Sequence, residues 1–213
     1  MTIAFSKEAS VKKVTFILVT LLVLGSFTMA SAFDLKGMMG IGAFVDYGFG
    51  FGDNFDDVDL GSGTTGETSL GFSFGAQFMY GLTDKIALAA VWDYVQIKFD
   101  VTGEEAEYYD DIDNESYMKF AANAMYFFNT EATLCPFVLV GPAFFVPSAE
   151  GADSKFGFNG GVGALYFMQE NMAIEFGGTF NYVMDKDEDI GIDANTTYAE
   201  IFVGFKYFFG GME

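Results

Sequence analysis

The chain has 213 residues, with 30 acidic side chains against 10 basic ones, one cysteine and no histidine. The net charge of −20 argues against nucleic acid as a partner, because phosphate backbones bind basic surfaces. The lone Cys135 excludes an intramolecular disulfide and is interpreted as a small apolar filler in a strand. Because the imidazole that many hydrolases use as general acid or base is missing, we expect no enzymatic activity. A histidine-free mechanism that uses Asp and Ser is the alternative.

Residues 1–32 have the three-part organisation of a signal peptide. Three lysines precede an apolar run at 14–24, and the small-x-small sequence Ala-Ser-Ala follows at 30–32. The run is shorter than the roughly 20 apolar residues of a membrane-spanning helix, although an uncleaved anchor is the alternative. We predict a signal peptide at 1–32, export through the Sec pathway and one mature domain at 33–213. Cleavage would leave 7 lysines against 29 acidic residues, a net charge of −22.

The mature chain shows period-two alternation of apolar and small residues, which predicts β-strands. No later apolar run is long enough for a helical span, so this chain would cross a membrane with strands. The predicted strands are 39–49, 69–80, 87–94, 118–126, 134–146, 158–166, 174–182 and 199–209. Their even number and their lengths are typical of a membrane β-barrel, whose strands need about 9 to 11 residues.

Each predicted strand except the fifth has an apolar face and a small or polar face. In the first, Ile41 and Val45 alternate with Gly40 and Asp46, and in the second Leu70 falls on the apolar face. The fifth strand is apolar on both parities and contains Pro136 and Pro142, so its facing stays unassigned. Because proline cannot donate to a strand ladder, a bulge or a frayed seam is expected there.

Isolated charges decide which face points inward. All fall on the small-residue parity, where they would lie in the barrel interior: Asp46, Asp93, Lys119, Glu175, Glu200 and Lys206. A lysine on the lipid face at mid-membrane would cost roughly 2 to 4 kcal/mol. The alternative is a soluble eight-stranded barrel of the lipocalin kind, with its apolar face inside. We favour the membrane form, because the other face carries mostly Gly, Ala, Ser, Asn and Met and would be a poor water-facing surface.

The connections alternate between short and long, which predicts the orientation. Short turns are expected at 82–85, 129–133 and 169–171, and polar loops at 52–67, 100–115, 148–154 and 185–195. Barrels of bacterial outer membranes have short periplasmic turns and long outer loops, so the acidic loops are predicted to lie outside. An aromatic girdle is predicted at the periplasmic rim (Tyr80, Tyr126, Tyr166, Tyr207) and at the outer rim (Tyr47, Trp92, Tyr94, Tyr182).

Three stretches carry a family resemblance: 80–88 (Tyr-Gly-Leu-Thr-Asp-Lys-Ile-Ala-Leu), 160–167 and 198–209. They resemble the small outer-membrane β-barrels of Gram-negative bacteria, the OmpA-barrel, OmpX and OmpW group. The resemblance implies an all-β, eight-stranded antiparallel up-and-down transmembrane barrel in the bacterial cell outer membrane. It also implies contact with membrane lipid and lipopolysaccharide, and with periplasmic chaperones and the barrel-assembly machinery during biogenesis. Phe208 and Phe209 resemble the aromatic end that this machinery reads, although four residues follow them.

The family resemblance implies two functions. In one, the interior charges pair and plug the core, and the role is structural or surface interaction. In the other, the barrel is a porin-like narrow channel or a small hydrophobic-solute transporter of the OmpW kind, with a lateral opening at the proline-interrupted fifth strand.

No cofactor is predicted for the barrel itself. The spacing of Asp185, Asp187, Asp189 and Asp193 is similar to that of a calcium loop, but Gly191 is one place late and Thr196 replaces the terminal Glu. These residues are weak metal candidates. A further hypothesis is that Ca²⁺ or Mg²⁺ bridges lipopolysaccharide phosphates to loop acids (Asp56, Asp57, Asp110, Asp111, Asp113).

Overall fold

The computed structural model describes residues 35–51, 58–61, 64–102, 115–148, 152–184, 186–187, 192–193 and 196–210. The predicted signal peptide, 1–32, lies outside these residues. In the described part of the chain, no helix is long and apolar enough to span a membrane.

The described chain is built from antiparallel strands. They are β1 (Met39–Phe51), β2 (Val58–Gly61), β3 (Thr64–Leu70), β4 (Phe72–Gly81), β5 (Ile86–Thr102), β6 (Glu115–Phe127), β7 (Leu134–Pro147), β8 (Lys155–Gln169), β9 (Met172–Met184), β10 (Lys186–Asp187), β11 (Ile192–Asp193) and β12 (Thr196–Phe209). Eight of them form one closed ring in the order β5-β4-β1-β12-β9-β8-β7-β6, and β6 pairs back to β5. The predicted fold class, an eight-stranded antiparallel up-and-down barrel, is confirmed.

Short connections join strands at one end of the barrel, here called the turn end. They are 82–85, 128–133 and 170–171, as the sequence predicts within one residue. At the first, Thr83 Oγ1 accepts hydrogen bonds from the backbone N–H groups of Lys85 (3.3 Å) and Ile86 (3.0 Å). At the second, Asn129 Oδ1 accepts one from Glu131 N–H at 3.0 Å. These side-chain oxygens satisfy backbone N–H groups that have no partner strand in the turn, which permits tight reversals of the chain.

The opposite end, here called the loop end, departs from the prediction in two places. The stretch 52–67, predicted as a loop, contains β2 and most of β3, which pairs with the upper part of β5. The stretch 185–195 contains the short β10–β11 ladder. Strand pairing therefore continues past the barrel ring, where the β-branched residues Val58, Thr64, Thr65 and Thr68 favour an extended backbone.

Leu70 corrects a predicted facing. Leu70 pairs with Ile97, while Phe74 pairs with Tyr94, so the register against β5 shifts by one residue across Gly71. An extra residue of this kind is a β-bulge, and it reverses the parity of everything on one side of it. Leu70 is consequently buried inside the barrel, whereas Phe72 points outward.

The structure shows which side chains of β7, the fifth predicted strand, point outward. Val138, Val140 and Phe144 are exposed, and the odd-numbered residues between them are buried. The β6–β7 ladder omits the positions opposite Gly141 and Pro142, as expected where proline lacks an N–H. The seam is nevertheless tight: a Cβ on Gly141 would lie 1.9 Å from the Ala122 carbonyl oxygen.

The exposed face is the apolar face along the whole ring. Phe72 is 72% exposed, Val140 62%, and Ile41, Val45 and Val203 50% each. All six isolated charges point the other way and are at most 4% exposed. This is the reverse of a lipocalin-like barrel, whose apolar face lies inside.

Inward aromatic rings pack into spaces left by glycines on neighbouring strands. A Cβ added to Gly75 would lie 2.3 Å from the Phe44 ring and 2.5 Å from the Trp92 carbonyl oxygen. A Cβ on Gly163 would lie 2.6 Å from the Phe137 ring. Since only glycine leaves room for the ring, the small-residue face and the inward phenylalanines form one close-packed interior.

We expect Gly75→Ala to destabilise the barrel by about 1 to 3 kcal/mol, because the added methyl displaces the Phe44 ring and the adjacent backbone. Gly160→Ala is the matched control, since its Cβ would meet only the Leu139 carbonyl oxygen at 3.7 Å, an ordinary contact. Urea unfolding of both variants in lipid vesicles checks this, and equal midpoints would contradict the packing described.

The residues before β1 close the turn end. Leu35 is fully buried, and the backbone reverses at Gly37, which has a φ of 74°. Gly37 N–H donates to the Gly81 carbonyl oxygen and Gly81 N–H donates to the Met38 carbonyl oxygen, both at 2.9 Å. A Cβ on Gly81 would lie 1.8 Å from the Leu35 carbonyl oxygen, so this docking requires glycine.

Candidate functional site

The structure brings the six predicted interior charges together in the middle of the barrel. Their side chains point inward from β1, β5, β6, β9 and β12, and all six are buried: Asp46, Asp93, Lys119, Glu175, Glu200 and Lys206. They form two groups of unequal charge. The larger group contains Asp46, Asp93, Glu200 and Lys119, and it is called the carboxylate cluster below.

Lys119 lies at the centre of the carboxylate cluster. Its Nζ is 2.5 Å from Glu200 Oε2 and 2.9 Å from Asp93 Oδ2. Strand pairing explains the second contact, because Asp93 and Lys119 face each other directly across the β5–β6 ladder. Glu200 reaches Lys119 from the opposite wall, and its Oε2 also accepts hydrogen bonds from Thr179 (2.8 Å) and Asn181 (2.9 Å).

The second group is a simple ion pair. Lys206 Nζ donates to Glu175 Oε1 at 2.9 Å, and the two side chains are 0% and 6% exposed. One positive and one negative charge balance here, as a buried pair requires.

Asp46 is the exception to the predicted pairing of charges. Neither of its carboxylate oxygens accepts a hydrogen bond from any residue that the structure describes, although the side chain is 4% exposed. Further oxygens nearby share this condition: Asp93 Oδ1, Glu200 Oε1, Gln77 Oε1, Asn123 Oδ1 and Asn159 Oδ1. The polar middle of the barrel therefore has more unpartnered acceptors than donors, although the Ser73 hydroxyl, also unpartnered, lies opposite Asp46 on the β1–β4 ladder.

A small cavity of about 40 Å³ lies within this polar middle. Asp46, Lys119 and Glu200 line it together with the side-chain amides of Gln77, Asn123 and Asn159. By this measure a water needs about 10 to 15 Å³, so the cavity has room for a few waters or for one ion with one or two waters.

Apolar side chains fill the barrel below and above the polar middle. Toward the turn end they form one buried cluster (Leu35, Met79, Ala87, Ala89, Met125, Phe127, Cys135, Phe137, Leu139, Leu165, Ala173, Phe202, Phe208). Toward the loop end, Tyr117, Phe145 and Tyr198 form an aromatic triad with ring centroids 5.7 to 6.4 Å apart. The Tyr198 ring lies over Lys119, with Nζ 5.9 Å from its centroid.

A second cavity, of about 150 Å³, lies on the loop side of the aromatic triad. Its walls include Leu70, Ile97, Val183, Lys155 and all three rings of the triad. The triad therefore separates this outer cavity from the polar middle.

The predicted girdle residues all lie on the outward parity. Tyr80, Tyr126, Tyr166 and Tyr207 are 41 to 46% exposed and lie near the turn end. Tyr47 is 40% exposed, and Trp92, Tyr94 and Tyr182 are half-buried. Phe74 packs against Trp92 and Tyr94, with ring centroids 6.0 and 5.3 Å apart. Their role as a membrane girdle stays a prediction.

Of the weak metal candidates in the last loop, Asp185 and Asp189 lie outside the described residues. Asp187 and Asp193 belong to β10 and β11, which pair as a short antiparallel ladder. The loop acids proposed to bridge to lipopolysaccharide also lie outside the described residues.

Three features of the site were missed by the sequence analysis. Tyr117 and Tyr198 occupy the same parity as Lys119 and Glu200, so alternation alone would have placed both rings inside. Leu35 lies before the first predicted strand, where the only signal was the nearby Gly37. The lack of partners at Asp46 depends on contacts between distant strands, which alternation does not show.

No protein-family model matches the sequence, and comparison with curated proteins finds no match. Among solved structures, the fold is similar to the crystal structure of Neisserial surface protein A, with 16% identity and a TM-score of 0.54 over 81% of this chain and 99% of that one. It is also similar to the solid-state NMR structure of outer membrane protein AlkL in lipid bilayers, with 15% identity and a TM-score of 0.50 over 88% and 97% of the two chains. At these identities the likeness shows the fold, that of the small outer-membrane β-barrels.

Proposed function

We propose that this protein is a non-catalytic barrel of the bacterial outer membrane whose core is closed and whose role is structural or surface interaction. The observation that carries the proposal is the layered interior. The polar middle, which contains a cavity of only about 40 Å³, lies between an apolar cluster at the turn end and the aromatic triad at the loop end.

The membrane assignment is supported by the outward face. Its exposed Phe, Val, Ile and Leu side chains form a continuous apolar surface around the ring, which water would disfavour and lipid accepts. Two solved structures with similar folds are named as a surface protein and an outer membrane protein. The short turns at one end support an orientation with the turn end in the periplasm and the acidic loops outside.

A closed core predicts negligible conductance. We expect the protein reconstituted in planar lipid bilayers to give no discrete current steps, because no described polar path continues from the carboxylate cluster through the turn-end cluster. A general porin inserted in the same bilayer is the control for insertion and detection. Reproducible single-channel steps from the purified protein, altered by substitution of Lys119 or Lys206, would support a narrow channel instead.

The second candidate function is transport of a small hydrophobic solute, and the outer cavity of about 150 Å³ favours it. Apart from Ser116, Lys155 and Thr196, its lining is apolar or aromatic, which suits such a solute. The tight β6–β7 seam at Gly141 argues against a lateral exit at that point. Uptake of small apolar solutes into vesicles no faster than into protein-free vesicles would support the closed core, whereas faster uptake would support transport.

The proposed partners are outer-membrane lipid and lipopolysaccharide, with periplasmic chaperones and the barrel-assembly machinery during biogenesis. We further propose that Ca²⁺ or Mg²⁺ bridges the acidic loops to lipopolysaccharide phosphates. Support comes from the loops' 20 acidic residues, which would repel phosphates unless cations intervene. Loss of lipopolysaccharide association on chelation is the expected result, and association that is insensitive to chelator would contradict this bridging.

A further inference from the structure

We propose that the carboxylate cluster binds one calcium-sized divalent cation inside the barrel, between Asp46, Asp93 and Glu200. One carboxylate oxygen from each of the three residues lies within 4.8 Å of the other two. Oxygens bound to one Ca²⁺ at 2.3 to 2.6 Å lie at most about 5 Å apart, so a single ion can reach all three. Magnesium bonds of about 2.0 to 2.1 Å span less and require octahedral geometry, which favours Ca²⁺.

The charge of the cluster supports the same conclusion. Three buried carboxylates face one ammonium group, so the fully ionised cluster has a net charge of −2. An uncompensated buried charge is strongly disfavoured, and a divalent cation would bring the cluster to neutrality. The neighbouring Lys206–Glu175 pair is already neutral and gives no reason for an ion.

The unpartnered oxygens point to a ligand independently of the charge count. Glu200 Oε2 accepts hydrogen bonds from Lys119, Thr179 and Asn181, and Lys119 also forms an ion pair with Asp93 Oδ2. This leaves Glu200 Oε1, Asp93 Oδ1 and both oxygens of Asp46 without a hydrogen-bond donor among the described residues. Hard oxygen ligands of this kind are those that calcium prefers.

The cavity beside Asp46 and Glu200 supplies the space. It has about 40 Å³ and is lined by Asp46 and Glu200 and by the amide groups of Gln77, Asn123 and Asn159. Calcium takes six to eight oxygen ligands, and unpartnered amide oxygens or enclosed waters would complete the set. The inference deepens the proposed closed core, since the ion would become part of the polar middle.

Calcium retention tests the site. The protein is folded in detergent with calcium, passed through a desalting column containing excess chelator, and analysed for metal per barrel. We expect the wild type to retain about one Ca²⁺, because the apolar cluster and the aromatic triad enclose the site on both sides and slow the escape of the ion. Asp46→Asn should retain at least about tenfold less, because it removes a charged ligand without removing a hydrogen bond.

Asp84→Asn is the matched control, since Asp84 lies exposed in a short turn and every loop acid remains. It should retain as much calcium as the wild type. The site is overturned if the folded wild type retains no calcium, or if Asp46→Asn retains as much as the control. It is also overturned if the infrared spectrum shows a protonated carboxylic acid that Asp46→Asn removes. Heat-modifiable gel mobility and bilayer conductance of the same samples report separately on the proposed barrel function.

Discussion

Lys119→Met is expected to destabilise the barrel by about 3 to 5 kcal/mol, the usual effect of removing one partner from a buried ion pair. Lys119 is 3% exposed and is the only described cation in contact with Asp93 and Glu200. Methionine keeps the length and the apolar stem of lysine, so the loss measures charge and not volume. Denaturant unfolding in lipid vesicles, followed through the single tryptophan, Trp92, gives the free energy.

Two further variants separate the charge effect from misfolding. Lys85→Gln removes an exposed lysine at a short turn and should change the free energy of unfolding by less than about 0.5 kcal/mol. The triple variant Asp93→Asn, Lys119→Met, Glu200→Gln removes all three charges and should recover most of the stability lost by Lys119→Met. If the triple variant is less stable still, packing and not charge balance holds the polar middle together.

Val203→Lys is expected to cost about 2 to 4 kcal/mol in a lipid bilayer. Val203 is 50% exposed on the outward parity of β12, midway between Ala199 and Tyr207. A lysine there has no partner inside the barrel and must place its ammonium in hydrocarbon or distort the lipid around it. Folding yield and unfolding free energy in vesicles are the measurements.

Leu82→Lys provides the control for Val203→Lys. Leu82 is 45% exposed, close to the value for Val203, but it lies in a short turn where lysine can reach the headgroups. Its cost should be at most about 1 kcal/mol. Equal costs at the two positions would mean that the outward face of β12 does not meet hydrocarbon.

The alternation of apolar and small residues predicts most of the fold, because each side chain of a barrel strand points either inward or outward. The isolated charges indicate which of the two faces points inward. In this way the sequence alone places Asp46, Lys119 and Lys206 inside the barrel. The same rule was wrong at Leu70, where one extra residue at Gly71 reverses the parity. It gave no facing for β7, since both faces of that strand are apolar.

The partners of the interior charges are harder to predict from the sequence than the direction in which each side chain points. Asp93 and Lys119 are cross-strand neighbours, and a correct register would have paired them. Glu200 reaches Lys119 across the barrel, so this contact depends on barrel diameter and strand tilt, which local sequence does not contain. The sequence predicts that Asp46 pairs with a cation, but Lys119 and Lys206, the described lysines of the polar middle, pair with other carboxylates.

Fluorescence quenching of Trp92 in vesicles tests the lipid-facing assignment most directly. Trp92 is the single tryptophan of the chain and lies on the outward parity of β5, adjacent to Phe74. Lipids with bromine on their acyl chains quench a tryptophan only when they contact it. The outward apolar face predicts strong quenching of the folded, vesicle-bound protein. Unquenched Trp92 fluorescence, with folded protein recovered in the aqueous fraction, would contradict the membrane barrel.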